Sequence, residues 1–188
     1  MSKRILLLTV TIQATLSVGP AYGQTSQAAT ATPQLLVNYF VNANTEGAPD
    51  GTVQLTNTGG TGGNLYAAIY VFYPDEEMAE CCSCSLTPDD LRTLSINNDL
   101  TANTLTGTPV TSGTITIVSS ISSNPAPIKA SGQIRAWGTH VLTTGVTEPE
   151  FQQAPLSSAE ITSLQNECSA IFLGGLGAGT GVCSCGVE

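Results

Sequence analysis

The residues best equipped for chemistry are six cysteines in two groups. Cys81, Cys82 and Cys84 lie together as C-C-x-C, and Cys168, Cys183 and Cys185 lie far downstream, the last two as C-x-C. Thiolates in such groups can hold Zn²⁺ or Cu⁺. In an oxidising compartment the same thiols pair as disulfides. Cys81 and Cys84 stand at C-x₂-C spacing, but the second such pair usual in structural zinc sites is absent, and so is the haem-attachment C-x-x-C-H. An even number of cysteines leaves no obvious free nucleophile. Three disulfides are therefore the expected state, with a metal site as the alternative and no cofactor assigned.

Pairing is constrained by geometry. A bond between the neighbours Cys81 and Cys82, or within a C-x-C, is strained. If none forms within Cys81, Cys82 and Cys84, each must pair with Cys168, Cys183 or Cys185, which leaves six schemes open. All six clamp the C-terminal region to the stretch around Cys81.

Other candidates are weaker. His140 is the single histidine. It sits in a strand-like stretch beside apolar residues, so a packed, hydrogen-bonded ring is expected before a catalytic one. No G-x-S-x-G surrounds a serine. Asp75, Glu76, Glu77 and Glu80 form an acidic cluster without the Ca²⁺-loop pattern, and a solvated turn is expected there. The glycine run 174–181 (GGLGAGTG) has neither G-x-G-x-x-G nor a Walker lysine, so nucleotide binding is not indicated. No catalytic residue is assigned.

The elements that must position the cysteines are mostly strands. Residues 34–43, 52–57, 114–118 and 133–143 read as strands, separated by turns rich in Gly, Pro, Asn and Ser. In the last of these, Ile134, Ala136, His140 and Leu142 share one face. Residues 65–73 (LYAAIYVFY) are apolar on both faces and fit a strand covered on both sides. The Cys81 group follows that strand. Thr87-Pro88-Asp89-Asp90 has the composition of a helix start and predicts a short helical turn, with a strand through Leu94 and Ile96 as the alternative. Residues 158–173 predict the one substantial helix. Ser157 and Glu160 form a capping box, and Leu156 and Ile161 a hydrophobic staple. Ile161, Leu164, Cys168, Ile171 and Phe172 fall in a wedge of about 100°, so Cys168 faces the body of the protein. Gly174 is the expected C-cap.

The chain of 188 residues opens with Lys3 and Arg4, an interrupted apolar run to Val18, the breaker Gly19-Pro20, and Ala21-Tyr22-Gly23. That is the pattern of a secretory signal over residues 1–23, too short and interrupted for a membrane span. Residues 24–34 read as a flexible leader, and 35–188 as a single domain. Past residue 23, only Arg92, Lys129 and Arg135 oppose 14 acids, a formal charge of −11. Such a chain repels phosphate backbones, and nucleic-acid partners are not expected.

The stretch 66–105, with the later IRAWGTHV, APLSSAEITSLQNEC and GVCSC, resembles a group of uncharacterised Cys-rich secreted proteins of soil bacteria. The resemblance implies an extracytoplasmic Cys-rich domain and carries no activity to transfer.

The expected fold is mainly β: a disulfide-stapled antiparallel β-sandwich, with an immunoglobulin-like arrangement as one form of it, and one C-terminal α-helix. The expected function is non-enzymatic, that of a secreted structural or interaction protein. It would assemble with copies of itself by edge-strand pairing into an extracellular surface or filament. An extracellular metal- or small-ligand-binding module is the alternative.

Overall fold

Strand β3 (Leu65–Phe72) has two buried faces. Successive strand side chains point to opposite sides. Leu65, Ala67, Ile69 and Val71 accordingly enter one apolar cluster, while Ala68 and Tyr70 enter another. A nine-residue β-branched and aromatic run has no solvent-facing set, so cover on both faces is what such a strand requires. This computed structural model describes residues 33–142, 144–173 and 181–186. The signal-like stretch 1–23, nearly all of the leader and the glycine run through residue 180, with the expected C-cap Gly174, lie outside the described residues.

The other strands are β1 (Gln34–Phe40), β2 (Thr52–Asn57), β4 (Met78–Leu86), β5 (Leu91–Ser95), β6 (Gly113–Ser120), β7 (Ile134–Gly138), β8 (His140–Leu142), β9 (Gly145–Thr147) and β10 (Gln152–Pro155). Helix α1 spans Ser158–Leu173. The strands form three sheets with all neighbours antiparallel: β10-β1-β6-β3-β4, β5-β2-β7 and β8-β9. The first two share one core, where Leu36 and Phe40 of β1, Ile69 of β3 and Ile117 of β6 meet Leu55 of β2, Leu94 of β5 and Ala136 of β7. On the other face of the five-stranded sheet, Leu164, Cys168 and Ile171 of α1 pack with Ala68, Tyr70, Cys81 and Val118.

The two sheets are also joined at an edge. Gly138 N–H donates to the Pro149 carbonyl at 3.0 Å, and Phe151 N–H donates to the Ala136 carbonyl at 2.9 Å. The same chain then becomes β10 and pairs with β1. Gly138 is required at this passage: a Cβ there would lie 2.6 Å from Asn38 Nδ2 and 3.2 Å from the Phe151 ring.

Three expectations are corrected. Thr87-Pro88-Asp89-Asp90 does not start a helix but turns β4 into β5. Asp90 N–H bonds back to the Thr87 carbonyl, and Asp89 takes φ +63°, outside the helical region. The helical turn comes later, as a π-type turn Ile96–Leu100 capped by the Ser95 side chain. Residues 133–143 are not one strand. The chain breaks at Thr139, whose N–H bonds the Thr52 carbonyl, and β8 pairs instead with β9. Leu142 is therefore exposed and shares no buried face with Ile134. Phe172, at the margin of the helical wedge and in the last turn, is half-exposed.

The helix start follows its local signals. Glu160 N–H donates to Ser157 Oγ at 3.0 Å, and Leu156 and Ile161 both pack against the α1-side cluster.

Two substitutions test this division of the molecule. Ile69→Ala, in a fully buried side chain, should lower the unfolding free energy by about 2–5 kcal/mol. Leu173→Ala, at a side chain 84% exposed, should stay within about 0.5 kcal/mol. Urea unfolding followed by circular dichroism measures both, and equal shifts would contradict the placement of the core.

Candidate functional site

The cysteine group lies on a strand of its own. Residues 78–86 are buried at seven of nine positions and form β4, one edge of the five-stranded sheet. In register, Tyr70 faces Cys81, Ile69 faces Cys82 and Ala67 faces Cys84. Strand alternation then sets the side each cysteine faces. Cys81 points to the helix side and bonds Cys168, while Cys82 and Cys84 point to the two-sheet core and bond Cys183 and Cys185. This is one of the six schemes without a bond inside either group. The Cα–Cα separations are 5.9, 5.2 and 5.3 Å, in the ordinary range for disulfides. No free cysteine remains among the described residues.

Around the bridges the C-terminal tail is held by backbone bonds. Cys81 N–H donates to the Gly181 carbonyl at 2.9 Å, Cys183 N–H to the Cys81 carbonyl at 3.3 Å, and Ser184 N–H to the Asp99 carbonyl at 2.8 Å. Arg92 Nη1 donates to the Cys185 carbonyl at 2.9 Å, and Ser184 Oγ to Asp99 Oδ1 at 2.7 Å. Gly181 has φ +85°, and a Cβ there would lie 2.8 Å from Ile171 Cγ2. Only glycine lets the tail turn this close to the helix.

The acidic cluster divides. Asp75, Glu76 and Glu77 are exposed in the β3–β4 turn, but Glu80 is completely buried. Phe72 faces Met78 while Val71 faces Glu80, so Ala79 is an extra residue in β4. This bulge puts the Glu80 position opposite Val71. Glu80 Oε1 accepts the Asn103 N–H at 2.7 Å, and Oε2 has no partner. Asn103 in turn accepts the Gly181 N–H at 2.6 Å and donates its side-chain amide to the Val182 carbonyl at 3.1 Å. The carboxyl is thus tied through one residue to the clamped tail. Burial pushes its pKa up to about 7, partly opposed by the Asn103 N–H. The expectation of a solvated turn fails at this residue because its neighbours Met78, Ala79, Cys81 and Cys82 make it part of a buried strand.

His140 is buried beside Asn38 and Tyr39. Its Nε2 lies 3.0 Å from Asn38 Oδ1, and its ring lies 4.0 Å from the Tyr39 ring. Asn38 Oδ1 also accepts the Tyr39 N–H. A carbonyl oxygen only accepts, so Nε2 carries the proton. The pair borders a cavity of about 310 Å³ lined also by Val37, Thr114, Glu150 and Gln152. Glu150 is engaged by Arg135. No serine joins His140 in the hydrogen bonds of the described residues.

No family model matches the chain, and neither a curated protein nor a solved structure matches it.

Glu80 makes stability pH-dependent. The unfolded carboxyl loses its proton near its ordinary 4.5, whereas the folded one holds it until about 7. Between these values the folded state binds more protons, so stability falls as pH rises. The contribution is complete below 4.5 and is lost through 7. Over that window the wild type should lose on the order of 3 kcal/mol relative to Glu80→Gln, which cannot ionise. Parallel stability–pH curves for the two proteins would contradict the assignment. Gly181→Ala should destabilise by about 1–2 kcal/mol, with the loss seen as a lower thermal midpoint; an unchanged midpoint would contradict the close approach to Ile171.

Proposed function

We propose that the protein is a secreted, non-enzymatic structural or interaction module. Its two larger sheets act as a β-sandwich, immunoglobulin-like in broad arrangement, that associates with copies of itself through a strand edge. The observation that carries this reading is the contrast between the two edges of the five-stranded sheet. At β4 the tail is bonded and cross-linked along the edge. At the other end, β10 pairs with β1 alone among the described residues. An open edge presents unpaired N–H and C=O groups to a further strand.

Further features support the reading. Three disulfides suit an oxidising, extracytoplasmic space. The signal-like residues 1–23 and the resemblance to secreted Cys-rich proteins agree with it. No helix among the described residues is long and apolar enough to cross a membrane. Gln34 starts β1 opposite Pro155 of the edge strand β10, and under this reading the leader before it adds as a strand to a neighbour's open edge.

The test is sedimentation and electron microscopy of the chain beginning at residue 24, over rising concentration. The full leader should give concentration-dependent oligomers or filaments. Deleting residues 24–33, or placing a charge on the edge with Gln153→Lys, should reduce assembly at least tenfold with the thermal midpoint unchanged. Monomers alone at high concentration would end the assembly reading.

A further inference from the structure

The three bridges are not equivalent. Cys81 and Cys168 are both completely buried, on the helix side of the sheet. Cys82, Cys84 and Cys183 belong to the opposite core, and Cys185 packs against it while remaining partly exposed. The tail runs parallel to β4 at the Cys81–Val182 bridge, so the C-x-C of the tail lies alongside Cys82 and Cys84. The Sγ atoms of Cys82, Cys84 and Cys185 all lie within 4.8 Å of one another. The fourth sulfur, Cys183 Sγ, is bonded to Cys82.

We propose that reduction of Cys84–Cys185 and Cys82–Cys183 turns this side of the clamp into a four-thiolate zinc site, while Cys81–Cys168 stays closed and holds the helix. A dithiol is the reductant. Its thiolate attacks the Sγ of Cys185, the partly exposed residue of the pair, and Cys84 leaves as a thiolate. The second thiol of the reductant then displaces Cys185, and the reductant departs as its own disulfide. A second dithiol repeats the exchange at Cys82–Cys183. Two disulfides become four thiols, two dithiols become two disulfides, and Zn²⁺ displaces the four thiol protons.

The geometry favours this product. Tetrahedral zinc with Zn–S bonds of about 2.3 Å sets its sulfurs roughly 3.8 Å apart. Cys82, Cys84 and Cys185 Sγ already lie within 4.8 Å of one another, and the two bonded pairs open to the zinc spacing when their S–S bonds break, which brings in Cys183 from its place on Cys82. Arg92, bonded to the Cys185 carbonyl, puts a cation beside the thiolates, which lowers thiol pKa and offsets the charge of a zinc tetrathiolate. Asp99 of the turn Ile96–Leu100, which accepts from Ser184 Oγ of the tail, is an acidic group nearby and acts in the opposite sense.

The experiment is graded reduction of the folded chain with dithiothreitol in the presence of zinc. Alkylation and mass mapping identify the open bridges, elemental analysis counts the metal, and near-ultraviolet circular dichroism reports the fold. With the two core-side bridges open and Cys81–Cys168 closed, the chain should bind about one zinc and keep its near-ultraviolet signal. The double variant Cys84→Ser/Cys185→Ser should bind zinc at least tenfold more weakly, and Cys81→Ser/Cys168→Ser should retain it. Should the first variant fail to fold, wild-type chain with only Cys84–Cys185 blocked by alkylation replaces it. Absence of stoichiometric zinc from chain whose two bridges are mapped open overturns the proposal. So does equal binding by the blocked chain, or binding that accompanies loss of the near-ultraviolet signal.

Discussion

Much of this structure follows from two adjacent cysteines on one strand. Cys81 and Cys82 must face opposite sides of β4, because neighbouring strand side chains do. One is therefore bonded to the helix and the other to the tail. The vicinal pair thus works as a two-sided fastener. It fixes α1 over one face of the five-stranded sheet, and with Cys84 it fixes the tail against the side shared with β5-β2-β7. A single cysteine at either position would secure one layer only. Because the bridges span 87 and 101 residues, each closes a long loop in the unfolded chain, an effect of about 2–4 kcal/mol apiece.

That fastening gives a physical setting for Glu80. A buried carboxyl with one hydrogen bond and one unpartnered oxygen is unfavourable when charged. It stays buried because the residue after it is locked twice, by Cys81–Cys168 and by backbone bonds to the tail. The loop at Asn103 cannot move away from the carboxyl without releasing Gly181 and Val182 as well. The same bonds that seal the sheet edge hold the carboxyl away from water.

The sequence was most legible where several local signals agreed. At the start of α1, Ser157 Oγ accepts the Glu160 N–H while Leu156 and Ile161 both pack on the helix-side cluster, as their spacing implies. β2 and β3 were equally clear, one by alternation and the other by continuous apolarity. Legibility failed where tertiary partners override local preference. Thr87-Pro88-Asp89-Asp90 has good helix-start chemistry, but Asp89 N–H is taken by the Asn57 carbonyl and the chain turns from β4 to β5, which pairs with β2 in the other sheet. β4 was missed as a strand because cysteine, serine and glutamate carry no strong strand signature. Its pairing with β3 supplies what the local sequence lacks. Glu80 was grouped with Asp75, Glu76 and Glu77 by proximity, whereas the bulge at Ala79 separates it from them in space. The signal that distinguishes it is its position between Ala79 and Cys81, inside an otherwise buried run. Asn103, Arg92 and Asp99 could not be found from sequence at all, since their roles depend on where the tail lands.

The placement of the clamp bears on how the molecule would meet others. A β-rich protein with an exposed sheet edge is prone to pair indiscriminately through it. Here the cysteines sit on one terminal strand of the sheet and the tail is bonded beside it, so pairing at β4 competes with covalently held chain. The remaining edge, β10, is only four residues long and ends in Pro155, which has no N–H to donate. A short edge with a proline at its end restricts both the length and the direction of any added strand. Under the proposed function this asymmetry leaves the five-stranded sheet a single usable edge, which favours directional, head-to-tail association through that sheet over random pairing. The disulfides would then contribute to selectivity as well as stability, by removing the competing edge from the surface.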